Sequence, residues 1–395
     1  MESLKPDTLI ATVGRDPESN YGLVNPPVYR GSTVLYPTLD ALQNVRRDYG
    51  RVYYGRYGTP TTIALQDALS ALDGAAGTLI VGSGAAAVST AMIGFLKQGD
   101  HVLIGDCVYE PSRKFTERLL KRFGVTATYF DPAIGAGIDA LFTPQTRVVL
   151  LEAPGSLTFE MMDIRAIATA ARARGAVSII DNTWATSLYC KPLSLGVDIS
   201  VQSATKYIGG HSDILLGAIA CNAATLETVR AAFADLGHHA APDDCWLALR
   251  GLRTMAVRLE RHHATGLTLA NYFAGRPEVK RVLHPALPSD PGHALWKRDF
   301  TGASGLFSVV LQPTSRAGLA AFVDGLELFG MGSSWGGYES LCLPANPVNA
   351  RSAVKWTESG PLLRFHAGLE DPRDLIADLD AAFARRAAAE ASAST

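Results

Sequence analysis

The chain has 395 residues, with 36 lysines and arginines against 38 aspartates and glutamates and a formal net charge of −2. Such a balance gives no general attraction for nucleic acid or an anionic membrane, and no apolar run reaches the ~18 residues of a spanning helix. The length exceeds one small core and fits two domains of ordinary size acting on small molecules.

The opening Met1-Glu2-Ser3-Leu4-Lys5-Pro6 lacks a basic stretch followed by an apolar run, so a soluble cytoplasmic protein is expected. Up to Pro60, Pro26, Pro27 and Pro37 stand among glycines and tyrosines without a sustained period, as expected of an arm lying against something larger. From Thr61 the pattern changes. Thr62 to Leu72 has helical spacing and stops at Asp73-Gly74, and Thr78 to Val81 reads as a short buried strand. Gly82-Ser83-Gly84-Ala85 then turns into a helix reaching Leu96. Strand His101 to Ile104, helix Ser112 to Phe123, and strands Thr126 to Phe130 and Val148 to Leu151 follow. Helix Ile164 to Arg174 and strands Val177 to Asp181 and Asp198 to Gln202 continue the alternation, which predicts an α/β fold with a mainly parallel sheet between helices.

Asp243 to Phe273 has helical spacing and no internal proline, predicting one long helix that joins two domains near its middle. Beyond it, strands Lys280 to Leu283 and Gly305 to Leu311 mix with helices Ala317 to Leu326 and Asp374 to Ala387, a smaller α+β domain. The closing Ala388 to Thr395 is low in complexity and expected to fray. The five cysteines are scattered and form no Cys-x-x-Cys pair, so reduced structural thiols are expected.

Asp181 ends its apolar strand, where an unpaired carboxylate is costly unless a cation or donors meet it. Lys206 follows in Ser203-Ala204-Thr205-Lys206-Tyr207, just ahead of Gly209-Gly210. An aldehyde cofactor needs an amine to hold it as a Schiff base, an anion to keep its pyridine nitrogen protonated, and hydroxyls to grip its phosphate. The order Asp181, Ser203, Thr205, Lys206 supplies all three and points to pyridoxal phosphate, with Lys206 also the local acid and base. The plain alternatives are an aspartate capping its own turn and a solvated lysine beside a Ser/Thr turn.

Gly84 and Ala85, at a strand-to-helix turn, can offer N–H groups to an anion, although such turns also serve chain reversal alone. Tyr109 follows a strand at the edge where open α/β sheets gather ligands, placed either to stack on a pyridine ring or to pack half-buried. Tyr54 and Arg56 belong to Tyr53-Tyr54-Gly55-Arg56-Tyr57-Gly58-Thr59, a loop able to reach a phosphate in another subunit or to pack as an adhesive arm. Arg364, in the strand-like Leu362-Leu363-Arg364-Phe365-His366, needs either a substrate carboxylate or a structural ion pair. Gly332 to Ser340, with Ser334 and Trp335, is too glycine-rich for regular structure and too aromatic for a linker, hence a candidate cavity wall. The histidines show no metal-site spacing, and no metal is expected.

Taken together, Tyr54-Gly55-Arg56, Ser83-Gly84-Ala85-Ala86, Tyr109-Glu110-Pro111, Asp181-Asn182-Thr183-Trp184, Ser203 to Tyr207 with Gly210-His211-Ser212-Asp213, and Ser334 to Ser340 resemble the cysteine/methionine-metabolism enzymes among fold-type I pyridoxal phosphate proteins. The resemblance covers essentially the whole chain. It implies an arm (1–60), a large cofactor domain (61–255) with a mainly parallel sheet of the seven-stranded type, and a small C-terminal domain (256–395). It also implies a homotetramer, a dimer of dimers with shared active sites. By position, Lys206 matches the Schiff-base lysine, Asp181 the pyridinium partner and Tyr109 the ring-stacking tyrosine. Gly84, Ala85, Ser203 and Thr205 match the phosphate cup, completed by Tyr54 and Arg56 of a neighbouring subunit. Arg364, assisted by Ser334 and Trp335, matches the α-carboxylate clamp. Where γ-acting members carry Glu-Ser-Leu-Gly-Gly, this chain reads Ser333-Ser334-Trp335-Gly336-Gly337, and Ser156 replaces an asparagine common among relatives. Both differences look like the β-acting members, although those often carry tyrosine at the place of Ser333. The implied reaction is α,β-elimination, with L-cystathionine giving L-homocysteine, pyruvate and ammonia, and with cystine and other cysteine S-conjugates as further substrates. A γ-acting relative is the nearer alternative, and a phosphate-ligand-binding protein without turnover the distant one.

Overall fold

The computed structural model describes residues 4–393; Met1, Glu2 and Ser3 of the opening segment, and Ser394 and Thr395 of the closing one, lie outside the described residues. Seven strands form the larger sheet: β1 (Gly77–Val81), β2 (His101–Gly105), β3 (Thr126–Phe130), β4 (Thr146–Glu152), β5 (Val177–Asp181), β6 (Ile199–Ser203) and β7 (Gly217–Cys221). Their order is β1-β7-β6-β5-β4-β2-β3, parallel except that β7 runs against both β1 and β6. The middle strands are largely buried and mostly apolar because helices cover both faces. Side chains alternate between the two: Val102, Ile104, Val148, Leu150 and Ile179 pack toward helices Gly84–Ile93 and Leu226–Asp235. Leu103, Val149, Leu151 and Ile180 pack against helix Ile164–Ala173 on the other.

This arrangement matches the expected α/β class, but three local expectations change. Strand β7 was not anticipated, because a short apolar run beginning at glycine cannot be told from a helical fragment by periodicity. The single helix expected over 243–273 is two, Pro242–Arg253 and Met255–Ala274, parted at Thr254. The Gly251 carbonyl explains the break, since it accepts the Thr254 N–H (3.1 Å), the Thr254 hydroxyl (3.2 Å) and Arg258 Nη2 (2.7 Å) in place of a continued helical ladder. The closing segment does not fray before residue 394: helix Pro372–Ala393 runs through it. Glu390 anchors that end by accepting the Thr314 hydroxyl at 2.5 Å and the Ser315 N–H at 2.7 Å.

The smaller sheet is antiparallel, with β8 (Val279–Leu283), β9 (Leu306–Leu311), β10 (Leu341–Ala345) and β11 (Leu362–His366) in the order β10-β11-β9-β8. Tyr207, wholly buried, ties it to the larger sheet: its hydroxyl accepts the Gly305 N–H at 3.1 Å, just ahead of β9, and its ring packs against His262, Trp335 and His366. Tyr207→Phe strands that N–H inside the protein, so the denaturant midpoint should fall at unchanged slope, by the equivalent of about 1–3 kcal/mol. An unchanged midpoint would show that the bond does not hold the two sheets together. Among the described residues no helix is long and apolar enough to cross a membrane.

Candidate active site

Strands β4, β5 and β6 end at Glu152, Asp181 and Ser203, and a cavity of about 220 Å³ opens at that carboxyl edge of the sheet. Lys206, Asp181, Tyr109, Gly84, Ala85, Ser203, Thr205, Trp335 and Arg364 all line it. Ser334 joins from behind: its Oγ accepts the Lys206 Nζ at 2.6 Å, and its carbonyl accepts Arg364 Nη2 at 3.1 Å. Gly336 lets that loop come close, with φ at +87°, where a Cβ would lie 3.0 Å from the Lys206 Cα.

Lys206 sits in the turn after β6, its Nζ 5.3 Å from the centre of the Trp335 ring. Burial, and then the neighbouring Arg364 charge, pull its amine down to about 8, with Asp181 opposing. An amine poised there is neutral often enough to attack an aldehyde. Uptake of pyridoxal phosphate by the cofactor-free protein should therefore accelerate as pH rises through about 8. A rate flat from pH 6 to 10, limits set about two units either side by the tenfold-per-unit titration rule, would contradict this.

Asp181 is held on one side only. Its Oδ1 accepts the Thr183 N–H (3.0 Å) and hydroxyl (2.5 Å), while among the described residues Oδ2 takes no hydrogen bond. Burial raises this carboxyl, and the Thr183 bonds and the Lys206 charge only partly offset it. A cationic ring nitrogen in the cavity is the partner that such an acid lacks. Asp181 thus closes its own turn through Thr183 and also lines the cavity.

At the opposite wall, Ser83 caps helix Gly84–Ile93 by accepting the Ala86 N–H at 3.1 Å, and the first-turn N–H groups of Gly84 and Ala85 have no intrahelical acceptor. A Cβ on Gly84 would lie 2.6 Å from the Ser203 Cβ, so only glycine lets the helix start this close to the end of β6. The Ser203 hydroxyl has no hydrogen-bond partner among the described residues, whereas the Thr205 hydroxyl is engaged with Leu216, donating to its carbonyl (3.2 Å) and accepting its N–H (3.0 Å). Arg364 has no carboxylate at ion-pair distance among the described residues and is free to take an anion. An amine, an under-partnered acid, a helix start beside a free hydroxyl and an unpaired guanidinium fit pyridoxal phosphate with an amino-acid carboxylate beside it.

Tyr54 and Arg56 do not reach this cavity within one chain. Tyr54 lines a separate hollow with Tyr36, Tyr53 and Tyr57, while Arg56 donates to the Ala234 carbonyl (3.0 Å) and lies 4.2 Å above the Tyr57 ring. Conversely, the cavity includes Glu152 and Thr183, to which the sequence alone assigned no role. Glu152 ends an apolar strand as Asp181 does, so the same signal was available; Thr183 stands two residues after Asp181, the spacing of an Asx turn.

An open sheet with its cavity at the strand ends, and an amine facing an acid across it, define a fold-type I pyridoxal phosphate enzyme. The chain belongs to the family described as "Cys/Met metabolism PLP-dependent enzyme", whose model matches residues 7–384. It is 50% identical to the putative cystathionine beta-lyase of Rhizobium johnstonii over 97% of this chain and 96% of that protein. It is 44% identical to the cystathionine beta-lyase of Escherichia coli, covering 98% and 100%. Among solved structures, cystathionine gamma synthase from Xanthomonas oryzae pv. oryzae superposes with a TM-score of 0.89 at 31% identity, covering 98% of this chain and 99% of that one.

Proposed function

We propose that the chain is a carbon–sulfur β-lyase that cleaves L-cystathionine to L-homocysteine, pyruvate and ammonia, in methionine biosynthesis, and also acts on cystine and other cysteine S-conjugates. The observation that carries this reading is the Lys206 amine, held on Ser334 in a cavity it shares with Asp181 and Arg364. The β-direction is supported by full-length relatives named cystathionine beta-lyase at 50% and 44% identity.

Bound pyridoxal phosphate supplies an electron sink for the charge left at Cα. The remaining work falls to the chain. Arg364 takes the substrate α-carboxylate, with Ser334 and Trp335 shaping its surroundings, and so fixes which bond at Cα faces Lys206. Lys206 Nζ, which gives up its proton as pH rises through about 8, accepts the Cα proton and returns a proton to the departing sulfur. Asp181 would be the anion that keeps the ring nitrogen protonated, and Tyr109 would be the aromatic group that holds the ring. Gly84, Ala85, Ser203 and Thr205 would hold the phosphate. Tyr54 and Arg56 complete the phosphate site from a second copy, within a cytoplasmic homotetramer built as a dimer of dimers. The same reading divides the chain into an arm (1–60), a cofactor domain (61–255) and a small domain (256–395).

Arg364→Lys replaces a planar fork by a point charge. Loss of one charged hydrogen bond should lower kcat/KM about ten- to a hundredfold, mainly through KM; an unchanged specificity constant would remove Arg364 from the site. The decisive test of the reaction is product analysis with L-cystathionine. Pyruvate is expected; 2-oxobutyrate would make the enzyme γ-acting, and absence of both would leave a binding protein.

A further inference from the structure

The proposed reaction gives Glu152 no task. It ends β4 directly beside Asp181, its register partner at the end of β5, so both side chains rise from one edge of the sheet into one cavity. Glu152 Oε2 accepts the Tyr109 backbone N–H at 2.5 Å, and among the described residues no lysine, arginine or histidine lies at ion-pair distance from it. The groups facing it are Asp181 from β5, and Tyr109 and Cys107 from the segment after β2. Lys206 and Arg364, across the cavity, act on Asp181 and Tyr109 respectively.

Two carboxylates on adjacent strand ends repel each other, and one proton between them removes the repulsion. The proton goes to the poorer anion. Asp181 has two donors on one oxygen and the charge of Lys206 nearby; Glu152 has one N–H and no cation. Burial and the Asp181 charge both push the Glu152 carboxyl well above its usual range, with the Tyr109 N–H opposing.

We propose that Glu152 is a neutral carboxylic acid in the working protein and a positioning residue, hanging the Tyr109 backbone on the cavity wall and leaving the negative charge to Asp181 alone. This rests on reading the cavity as a pyridoxal phosphate site. Glutamine is then a near-equivalent of the native residue, because its amide oxygen can accept the same N–H and no charge is lost. Alanine is not, because the Tyr109 N–H loses its acceptor.

The test uses the visible absorbance of the bound cofactor, titrated against pH, and the dissociation constant for pyridoxal phosphate added back to cofactor-free protein. For Glu152→Gln, the titration midpoint should stay within about 0.3 pH unit of wild type and cofactor affinity within about threefold. For Glu152→Ala, affinity should fall about tenfold. A midpoint displaced by about one unit or more in the glutamine variant would mean that a real negative charge had been deleted, overturning the proposal. Undiminished affinity in the alanine variant would overturn it as well, since Tyr109 would then not depend on Glu152. A glutamine variant that does not fold also counts against it, because a neutral isostere should leave the fold intact. Wild-type protein without any visible band would instead remove the cofactor reading itself, so the two failures are distinguishable.

Discussion

Lys206→Ala should yield a folded protein that no longer acquires the visible band of covalently held pyridoxal phosphate and turns over L-cystathionine at least about a thousandfold more slowly. Two losses combine in this one substitution: the amine that anchors the cofactor, and the group that moves the proton between Cα and sulfur. The environment makes replacement by a neighbour implausible, because among the described residues the Lys206 amine hydrogen-bonds only to Ser334, and the neighbouring cation, Arg364, is a guanidinium that does not deprotonate at working pH. Added small amines should restore part of the rate by supplying a mobile base without restoring the covalent anchor. A yellow variant with wild-type turnover would show that the cofactor is held elsewhere.

Asp181→Asn is expected to have the next largest effect, a fall in kcat of about a hundredfold or more, as when a preorganised electrostatic partner is removed from a buried site. The side chain keeps its shape and can still accept the two Thr183 hydrogen bonds, so the turn should survive while the anion is lost. Because Lys206 remains, the cofactor should stay covalently attached, which separates this defect from that of Lys206→Ala. Activity within a factor of about two, a difference of under 0.5 kcal/mol in barrier height, would mean that Asp181 serves the turn alone.

Much of the site was legible because charge at the end of an apolar strand is expensive and therefore informative. Asp181 stands out on that ground, and Lys206 through the hydroxyls of Ser203 and Thr205 beside it and the glycines after it; the structure brings both into one cavity with Tyr109, Ser203 and Arg364. Glu152 carries the same signal at the end of β4 but lacks a nearby lysine in sequence to draw notice; its relation to Asp181 exists only in the register of β4 against β5. The split at Thr254 escaped for a similar reason, since it depends on Arg258 and the Thr254 hydroxyl converging on one carbonyl while helical spacing continues across the break. Strand β7 lies between β1 and β6 and reverses direction, a long-range pairing that five small apolar residues do not announce. Tyr54 and Arg56 mark the limit of a single chain: their motif is clear in the sequence, but their proposed destination is another copy's cavity.

The most direct measurement is borohydride reduction of the purified protein followed by peptide mass analysis. The account predicts that a reduced pyridoxyl phosphate group is fixed on the peptide containing Lys206 and that the label fails to form in Lys206→Ala. A label on another lysine, or none on a protein that cleaves L-cystathionine, would contradict it.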